Sequence, residues 1–210
     1  MKIRILIILI IIIGAGIGFY LQEELKISEG IPPSTEQLKD LSSVILRNTK
    51  FKDFSDGNFS FKYPNWSKIE MDPTLIWPKE IAEKEKILLY LTNPDEVIML
   101  VAKGELKSGD LNKPYPLILR EIFNQEREVM EREGGLTNLQ IIKEDFFENG
   151  VMLESKAIIF GKAITSISKS IILRSRDKGF IYSVGISAPD WIFEDYRALA
   201  EYVINSGRYY

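Results

Sequence analysis

The chain has 210 residues, and its 27 Lys and Arg against 30 Asp and Glu give a formal charge of −3. It contains no cysteine and no histidine. These absences exclude disulfides, thiolate metal sites and any catalytic triad that needs a histidine. The weakly acidic balance argues against a nucleic-acid-binding protein, which needs clustered positive charge. The length allows one ordinary domain with a short appendage.

The first 21 residues are predicted to be a membrane anchor. Lys2 and Arg4 precede an uncharged, mostly apolar run from Ile5 to Leu21. As a helix this run would span about 26 Å at ~1.5 Å per residue, close to the ~30 Å of a bilayer core. Basic residues before such a run keep the N-terminus in the cytoplasm. We therefore expect a single-pass cell-membrane protein that contacts lipid through residues 1–21 and places the rest of the chain outside.

A cleaved signal peptide is the alternative interpretation, with the small residues at 14–16 before its cleavage site. The apolar run continues beyond them to Leu21, and no Ala-x-Ala motif follows, so a retained anchor is favoured. Gly14 and Gly18 have the spacing that lets two membrane helices pack closely. Residues 22–33 contain a Pro-Pro pair and are predicted to be a linker.

Residues 34–210 are predicted to form one α+β domain. Apolar residues at helical spacing predict helices, and alternating or continuous apolar runs predict strands. In chain order the pattern gives a helix over 35–47, strands over 50–54, 59–63, 67–71, 86–92 and 96–105, a helix over 115–133, strands over 138–147, 151–160, 163–175 and 180–187, and a last helix. Consecutive strands with helices only between blocks indicate an antiparallel β-sheet with helices packed on it.

Local signals predict how these elements are joined. The Asp-Gly pair at 56–57 and the Asn-Gly pair at 149–150 are typical of hairpin turns. Asp190 is predicted to cap the last helix, because its short carboxylate can accept hydrogen bonds from the first backbone N–H groups. Trp191, which opens that helix, is expected to pack on the sheet.

The stretch from Gly57 to Trp66, GNFSFKYPNW, resembles the opening strand of the PsbP-like family, in which a Phe-Ser-Phe-x-Tyr-Pro-x-x-Trp pattern recurs. Residues 174–182, the Ser-Ala-Pro at 187–189 and the helix that closes on Asn-Ser at 205–206 resemble the family's final strand and helix. The order of elements across 51–206 also agrees. The resemblance implies an antiparallel sheet sandwiched by helices. It also implies a mostly non-catalytic role, since known relatives include photosystem II subunits and a regulator of a nuclear-transport GTPase.

Few residues stand out as candidate sites. Trp66 and Trp77 each lie near a proline in predicted loops. A tryptophan in such a place either anchors a protein contact or covers the core. Asn58 and Asn65 begin Asn-x-Ser triplets and are candidate glycosylation sites if the domain faces outward.

No catalytic, cofactor-binding or metal-binding residue is predicted. Asp53 and Asp56 could offer oxygens to calcium, but their spacing is not that of the twelve-residue calcium loop. A simple hairpin turn is the favoured interpretation of that stretch. Basic residues near one strand end predict a small positive patch, formed by Lys169, Arg174, Arg176 and Lys178.

Three functions fit these observations. The favoured one is a membrane-anchored, extracytoplasmic binding or accessory module of an envelope complex, non-catalytic, with an envelope protein as its partner. A second is an extracytoplasmic sensor that binds a small ligand in an apolar pocket near the Trp77 loop. A third is a hydrolase that cleaves glycans with two facing carboxylates in a cleft.

Overall fold

The structure, a computed structural model, describes residues 35–70, 85–106, 108–133, 135–174 and 178–210. The predicted anchor at 1–21 and the predicted linker at 22–33 lie outside these residues, so both stay predictions. Within the described ranges, no helix combines the length and the apolar character that crossing a bilayer requires.

The described ranges contain three α-helices and ten strands. The helices are α1 (Thr35–Asn48), α2 (Tyr115–Glu133) and α3 (Phe193–Asn205). The strands are β1 (Phe51–Ser55), β2 (Phe59–Pro64), β3 (Ser67–Lys68), β4 (Glu85–Thr92), β5 (Ile98–Glu105), β6 (Leu136–Phe147), β7 (Gly150–Ile159), β8 (Lys162–Arg174), β9 (Gly179–Pro189) and β10 (Arg208–Tyr209). These bounds confirm the predicted order of helices and strands as far as α3, whereas β10 was not predicted.

Seven strands form one sheet in the order β3-β4-β5-β9-β8-β7-β6, and β1, β2 and β10 form a three-stranded sheet. Every pairing is antiparallel. The meander from β6 to β9 places β9 beside β5, where Ile98 lies opposite Ser187. The architecture is the α+β antiparallel sheet that the sequence predicts.

Successive side chains of a strand point to opposite faces, and each face of the seven-stranded sheet carries a buried apolar cluster. We call the side covered by α3 and the small sheet the α3 face. Its buried cluster includes Phe59, Phe61, Val184, Leu199 and Val203. We call the opposite side the α2 face, and its buried cluster includes Leu100, Ile118, Met130, Ile164 and Ile181. Helices therefore lie on both sides of the sheet.

The turn predicted at 56–57 is confirmed. Asp56 Oδ1 accepts hydrogen bonds from the backbone N–H groups of Asn58 (3.1 Å) and Phe59 (3.0 Å). Gly57 has a φ of 91°, in the left-handed region that glycine adopts without strain. This local network makes the Asp-Gly pair a turn between β1 and β2.

The turn predicted at 149–150 is wrong by one residue. Phe147 pairs with Gly150 across the hairpin, so the two-residue loop is Glu148-Asn149 and Gly150 begins β7. A Cβ at Gly150 would lie 2.4 Å from the Phe147 ring and 2.4 Å from the carbonyl oxygen of Ser170. The glycine is therefore needed for close packing within the sheet and not for the turn.

The predicted cap of the last helix is also wrong. Helix α3 begins after Ile192, without a side-chain cap from the described residues. The backbone N–H of Asp190 donates to the carbonyl oxygen of Ala163 (2.9 Å), which holds Asp190 as an extension of the sheet. Its carboxylate instead accepts a hydrogen bond from Thr165 and pairs with Lys156 at 2.6 Å.

Trp191 does not pack on the sheet as predicted, because its side chain is 81% exposed. The turn that follows β9 explains this. The N–H of Ile192 donates to the carbonyl oxygen of Pro189 (3.0 Å), and the chain then buries Phe193 against the α3 face. Trp191 is left on the outer side of that turn.

Candidate functional site

One end of the large sheet carries exposed aromatic side chains. Trp191 follows β9, and Phe160, which is 49% exposed, lies in the turn between β7 and β8. Phe160 and Gly161 have φ values of 48° and 84°, the positive values that tight two-residue hairpin turns use. Ile164 of β8 lies opposite Pro189 of β9, which brings this turn and Trp191 to the same end.

Trp66 lies beside the same end. It is half-buried, and its ring meets the ring of Tyr196 edge-on at 6.2 Å between centroids. Tyr196 donates a hydrogen bond to Asp95 and accepts one from Asn93 Nδ2 (2.9 Å), so α3 is tied to the turn between β4 and β5. Burial and the bond to Asp95 raise the pKa of Tyr196. We call Trp66, Phe160 and Trp191 the aromatic end.

Carboxylates surround the aromatic end, and most have a partner. Besides the contacts of Asp190 and Asp95, Glu194 binds Arg197 at 2.7 Å. Hydrogen bonding to Arg197 lowers the pKa of Glu194. Asp195 differs, because burial and the neighbouring charges of Asp95 and Glu194 raise its pKa. The negative charge near Trp191 is therefore largely offset by ion pairs and hydrogen bonds.

A second polar cluster ties the small sheet to the large one. Asp56 Oδ2 accepts a hydrogen bond from Tyr182 (2.8 Å) and pairs with Lys103 Nζ at 3.2 Å. Lys103 also lies over the rings of Phe180 and Tyr182, at 4.4 Å and 4.8 Å from their centroids. Asp53 points elsewhere and pairs with Lys62 at 3.1 Å. The two aspartates therefore have separate partners and do not converge on one site.

Burial alone would raise the pKa of Asp56, but the hydrogen bonds from Tyr182, from two backbone N–H groups and from Lys103 outweigh it, and the pKa is lowered. Burial would likewise lower the pKa of Lys103, yet its contacts with Tyr182 and Asp56 raise it. The cluster thus keeps a carboxylate and an ammonium paired across the boundary between the two sheets.

Among the residues that the structure describes, strand β6 forms an exposed edge of the large sheet. It is the last strand of the seven-stranded order and has 12 residues, most of them exposed. Ile141 is 39% exposed and Ile142 is 49% exposed. The pairing with β7 shifts between Ile141 and Lys143, so Ile142 lies in a bulge. Lys143 then pairs with Asp145 at 2.9 Å. We call residues 140–145 the free edge.

The predicted basic patch does not form from its two described strand residues. Lys169 and Arg174 project from opposite faces of β8. Lys169 lies over the ring of Phe147 at 5.0 Å, and burial lowers its pKa. Arg174 stacks on Tyr115 at 3.7 Å and donates two 2.7 Å hydrogen bonds to carbonyl oxygens of the loop before α2. Arg176 lies outside the described residues.

The remaining predicted site residues are placed as follows. Asn58 and Asn65 are both exposed. The carbonyl oxygen of Asn58 accepts a hydrogen bond from the N–H of Tyr210 (3.0 Å), and the N–H of Asn65 donates to Lys50 (2.8 Å). Their modification stays a prediction. Outside the described residues lie Trp77, Gly14 and Gly18.

Sequence reasoning missed Trp191, Phe160 and the two isoleucines of the free edge as surface features. One signal for Trp191 was present in the sequence. Continued as a helix, the chain places Trp191 on the same side as Asp195 and Tyr202, whereas it places Ile192 on the side of the buried residues of α3. No comparable signal marks Ile142. An isoleucine in a strand is normally a core residue, and only its place at the sheet edge exposes it.

The fold is shared with solved structures. The cyanobacterial PsbP protein CyanoP from Synechocystis matches with a TM-score of 0.51 at 14% identity, over 89% of this chain and 99% of that chain. The chain has the PsbP-like fold. This PsbP-like fold confirms the structural expectation drawn from the Phe-Ser-Phe-x-Tyr-Pro stretch.

Two further solved structures are similar at lower scores. The Ran-binding protein Mog1p of Saccharomyces cerevisiae has a TM-score of 0.46 at 13% identity, over 77% of this chain and 96% of that chain. LpqN of Mycobacterium tuberculosis, which is involved in cell envelope biogenesis, has a TM-score of 0.42 at 11% identity, over 85% and 98%. No family model matches the chain, and no curated protein sequence matches it.

Proposed function

We propose that this chain is a single-pass membrane protein whose PsbP-like domain faces outward from the cell and binds another envelope protein as a non-catalytic accessory module. The apolar run at 5–21 after Lys2 and Arg4 supports the anchor and its orientation. The observation that carries the binding role is the free edge of β6, with Ile141 and Ile142 exposed on it.

An edge strand presents unpaired backbone N–H and C=O groups that another chain can extend. In such β-strand addition, main-chain hydrogen bonds supply affinity and the side chains on both faces supply specificity. Ile141 and Ile142 are adjacent and exposed, so an added strand would cover apolar surface at this edge. The bulge at Ile142 and the charged residues after it interrupt long, regular pairing. This arrangement favours a short extended segment of a partner over stacking of identical edges.

The interior polar groups support a non-catalytic role. Asp56 and Lys103 join the two sheets, and Tyr196 joins α3 to the β4–β5 turn. Arg197 binds Glu154 of β7 at 2.7 Å and thereby joins α3 to the large sheet. Each of these groups holds together elements that the chain order separates, which is a structural task.

The test is photo-cross-linking of the full-length protein in membranes of its native host. The photoreactive residue p-benzoylphenylalanine replaces Ile142 in one variant and Leu117 in the other. Leu117 is the matched control, because it is 47% exposed but lies on α2. We expect a discrete adduct with one envelope protein at position 142, identified by mass spectrometry, and none with that protein at position 117.

Equal adducts at both positions, or no adduct at position 142 in membranes that contain the protein at its normal level, would contradict binding through the free edge. Alkaline extraction of the same membranes tests the anchor separately. A retained anchor keeps the protein in the membrane pellet, whereas release into the supernatant would contradict the membrane part of the proposal.

A further inference from the structure

We infer that the partner strand added to β6 carries two neighbouring acidic residues, one held by Arg120 and the other by Lys169. This inference rests on the proposed function and names the chemistry of the segment that the free edge binds. The observation that carries it is a pair of cations at the end of β6, one on each face of the sheet. We call Arg120 and Lys169 the flanking cations.

Each of the last two residues of β6 contacts one flanking cation. The Arg120 guanidinium lies over the ring of Phe146, 5.1 Å from its centroid, and Lys169 Nζ lies 5.0 Å from the ring centroid of Phe147. Phe146 packs against the buried cluster of the α2 face, and Phe147 against that of the α3 face. Because the two phenylalanines are consecutive, the two positive charges lie on opposite faces at the same point of the sheet edge.

The flanking cations are not neutralised within the part of the domain that the structure describes. No described carboxylate forms an ion pair with Arg120 or Lys169. Lys169 is also half-buried, and withdrawing an ammonium from water without a counter-charge costs free energy. Other cations of the domain do pair with carboxylates, among them Lys62, Lys103, Lys113, Lys143, Lys156, Arg127 and Arg197. A carboxylate from another chain would supply the counter-charge that the flanking cations lack.

A strand added to β6 brings its side chains towards both flanking cations. Paired strands lie ~4.8 Å apart, and their successive side chains alternate between the two faces. Directly opposite residues have Cβ atoms about 5 Å apart. A residue opposite Phe146 therefore lies on the face of Arg120, and the neighbouring residue, opposite Phe147, lies on the face of Lys169. Lys169 projects from β8, two strands in from the edge, so the second acid needs the longer side chain of glutamate.

The carboxylate of Glu144 restricts where the acids can lie. Glu144 is opposite Leu153 of β7, whose side chain belongs to the cluster of the α2 face. Glu144 is therefore on the same face as Phe146, two residues away along β6. Like charges directly opposite each other on paired strands are destabilising, so Glu144 disfavours an acid opposite itself. The favoured positions for the two acids are those opposite Phe146 and Phe147.

The rest of the free edge defines the other end of the bound segment. Lys143 and Asp145 pair with each other at 2.9 Å, so neither offers a free charge to an added strand. Ile141 and Ile142 come before them and are exposed. A segment that complements this order has apolar residues at one end and the two acidic residues at the other.

The test combines p-benzoylphenylalanine at position 142 of the full-length protein, in membranes of the native host, with changes at the flanking cations. Arg120→Glu reverses an exposed charge, and Lys169→Met removes the other charge while keeping a long apolar side chain. Arg208→Glu is the matched control, because Arg208 is also exposed but belongs to the three-stranded sheet. Circular dichroism of each purified variant confirms that it is folded.

We expect the yield of the adduct at position 142 to fall several-fold with Arg120→Glu and with Lys169→Met, and to stay unchanged with Arg208→Glu. Arg120→Lys, which keeps the charge, should retain most of the adduct. A second readout is the sequence of the cross-linked segment, obtained by mass spectrometry. Because residues of paired strands lie opposite one another in sequence, two neighbouring acidic residues, at least one of them glutamate, should lie within about five residues of the cross-linked position.

An unchanged adduct in Arg120→Glu and Lys169→Met, or a cross-linked segment without the acidic pair, would overturn this inference and leave the free edge as the binding surface. An equal loss with Arg208→Glu would also overturn it, because the effect would then follow the net charge of the domain and not the flanking cations. Absence of an adduct without any of these changes would overturn the proposed binding through the free edge, and this inference with it.

Discussion

In their middle, strands β8 and β9 present large side chains on the α3 face and serines on the α2 face. On the α3 face Ile171 and Tyr182 pack into the apolar cluster. On the α2 face Ser166 pairs with Ser187 at 2.7 Å and Ser170 with Ser183 at 2.6 Å between hydroxyl oxygens. All four serines are buried. Both faces of these two strands are therefore buried. Apolar packing stabilises the α3 face, and hydroxyl pairs contribute to the α2 face.

This difference between the two faces shows how a polar sequence pattern can be buried. An alternation such as Ser-Ile-Ser-Lys-Ser at 166–170 is typical of a strand with one face in water. Here the register of β8 and β9 places Ser166 opposite Ser187 and Ser170 opposite Ser183. Each hydroxyl then satisfies another, which removes most of the cost of burying it. The α3 face should therefore depend on apolar volume alone along these two strands, whereas the α2 face should depend on the paired hydroxyls in addition to its apolar cluster.

The largest effect is expected from removing volume on the α3 face. Phe61 is 2% exposed, and its ring lies 5.0 Å from that of Phe54 and 5.4 Å from that of Phe59. Phe61→Ala should reduce the free energy of unfolding by about 3–5 kcal/mol, measured by urea denaturation in detergent. Lys62→Ala on the same strand is the control and should change it by less than ~0.5 kcal/mol. Equal effects would contradict a core on this face.

A smaller effect is expected at the boundary of the α3 face, from Asp56→Asn. This change weakens the charge-assisted bonds from Tyr182 and Lys103 and should cost about 2 kcal/mol near neutral pH. Because the folded pKa of Asp56 is lowered, its stabilisation is present above the unfolded pKa of ~3.9 and is lost as the pH falls through the folded pKa. The difference between wild type and variant, measured by denaturation at several pH values, should therefore shrink below pH ~4.

Asp53→Asn is the matched control for this pH series, because the Asp53 side chain is 79% exposed and pairs with the exposed Lys62. Its effect should be small at every pH. The result to compare is the difference in the free energy of unfolding between wild type and Asp56→Asn. If this difference stayed constant down to strongly acidic pH, the charge of the carboxylate would not be what joins the sheets.

The smallest effect is expected on the α2 face. Ser170→Ala or Ser183→Ala alone leaves a buried hydroxyl without its partner and should cost about 1 kcal/mol. The double variant should cost less than the sum of the two, since no hydroxyl of that pair is then left unsatisfied. A double-mutant cycle from urea denaturation measures this coupling. Strictly additive effects would mean that the hydroxyl pair contributes nothing and that this face resembles the other.

Much of the fold was predictable because it depends on local patterns. Helix α2 has the bounds that its apolar periodicity and the following glycines predict, and the β6–β9 meander has the predicted order. The errors occur where a distant contact decides a residue's role. Gly150 is needed for the space beside the carbonyl oxygen of Ser170, and Asp190 is held by Ala163 and Thr165. The candidate site was harder to predict, because exposure at a sheet edge depends on strand order.

The sequence by itself determined the kinds of element, their order and the antiparallel class, because hydrophobic periodicity and turn residues act over a few neighbouring positions. It also indicated the PsbP-like fold through the stretch ending at Trp66. Only the tertiary structure decided which strand became the free edge and that Trp191 stands exposed at the same end of the sheet as Phe160. These properties arise from the pairing of β5 with β9 and of β8 with β9. Such pairings join residues far apart in the chain, and no local pattern encodes them.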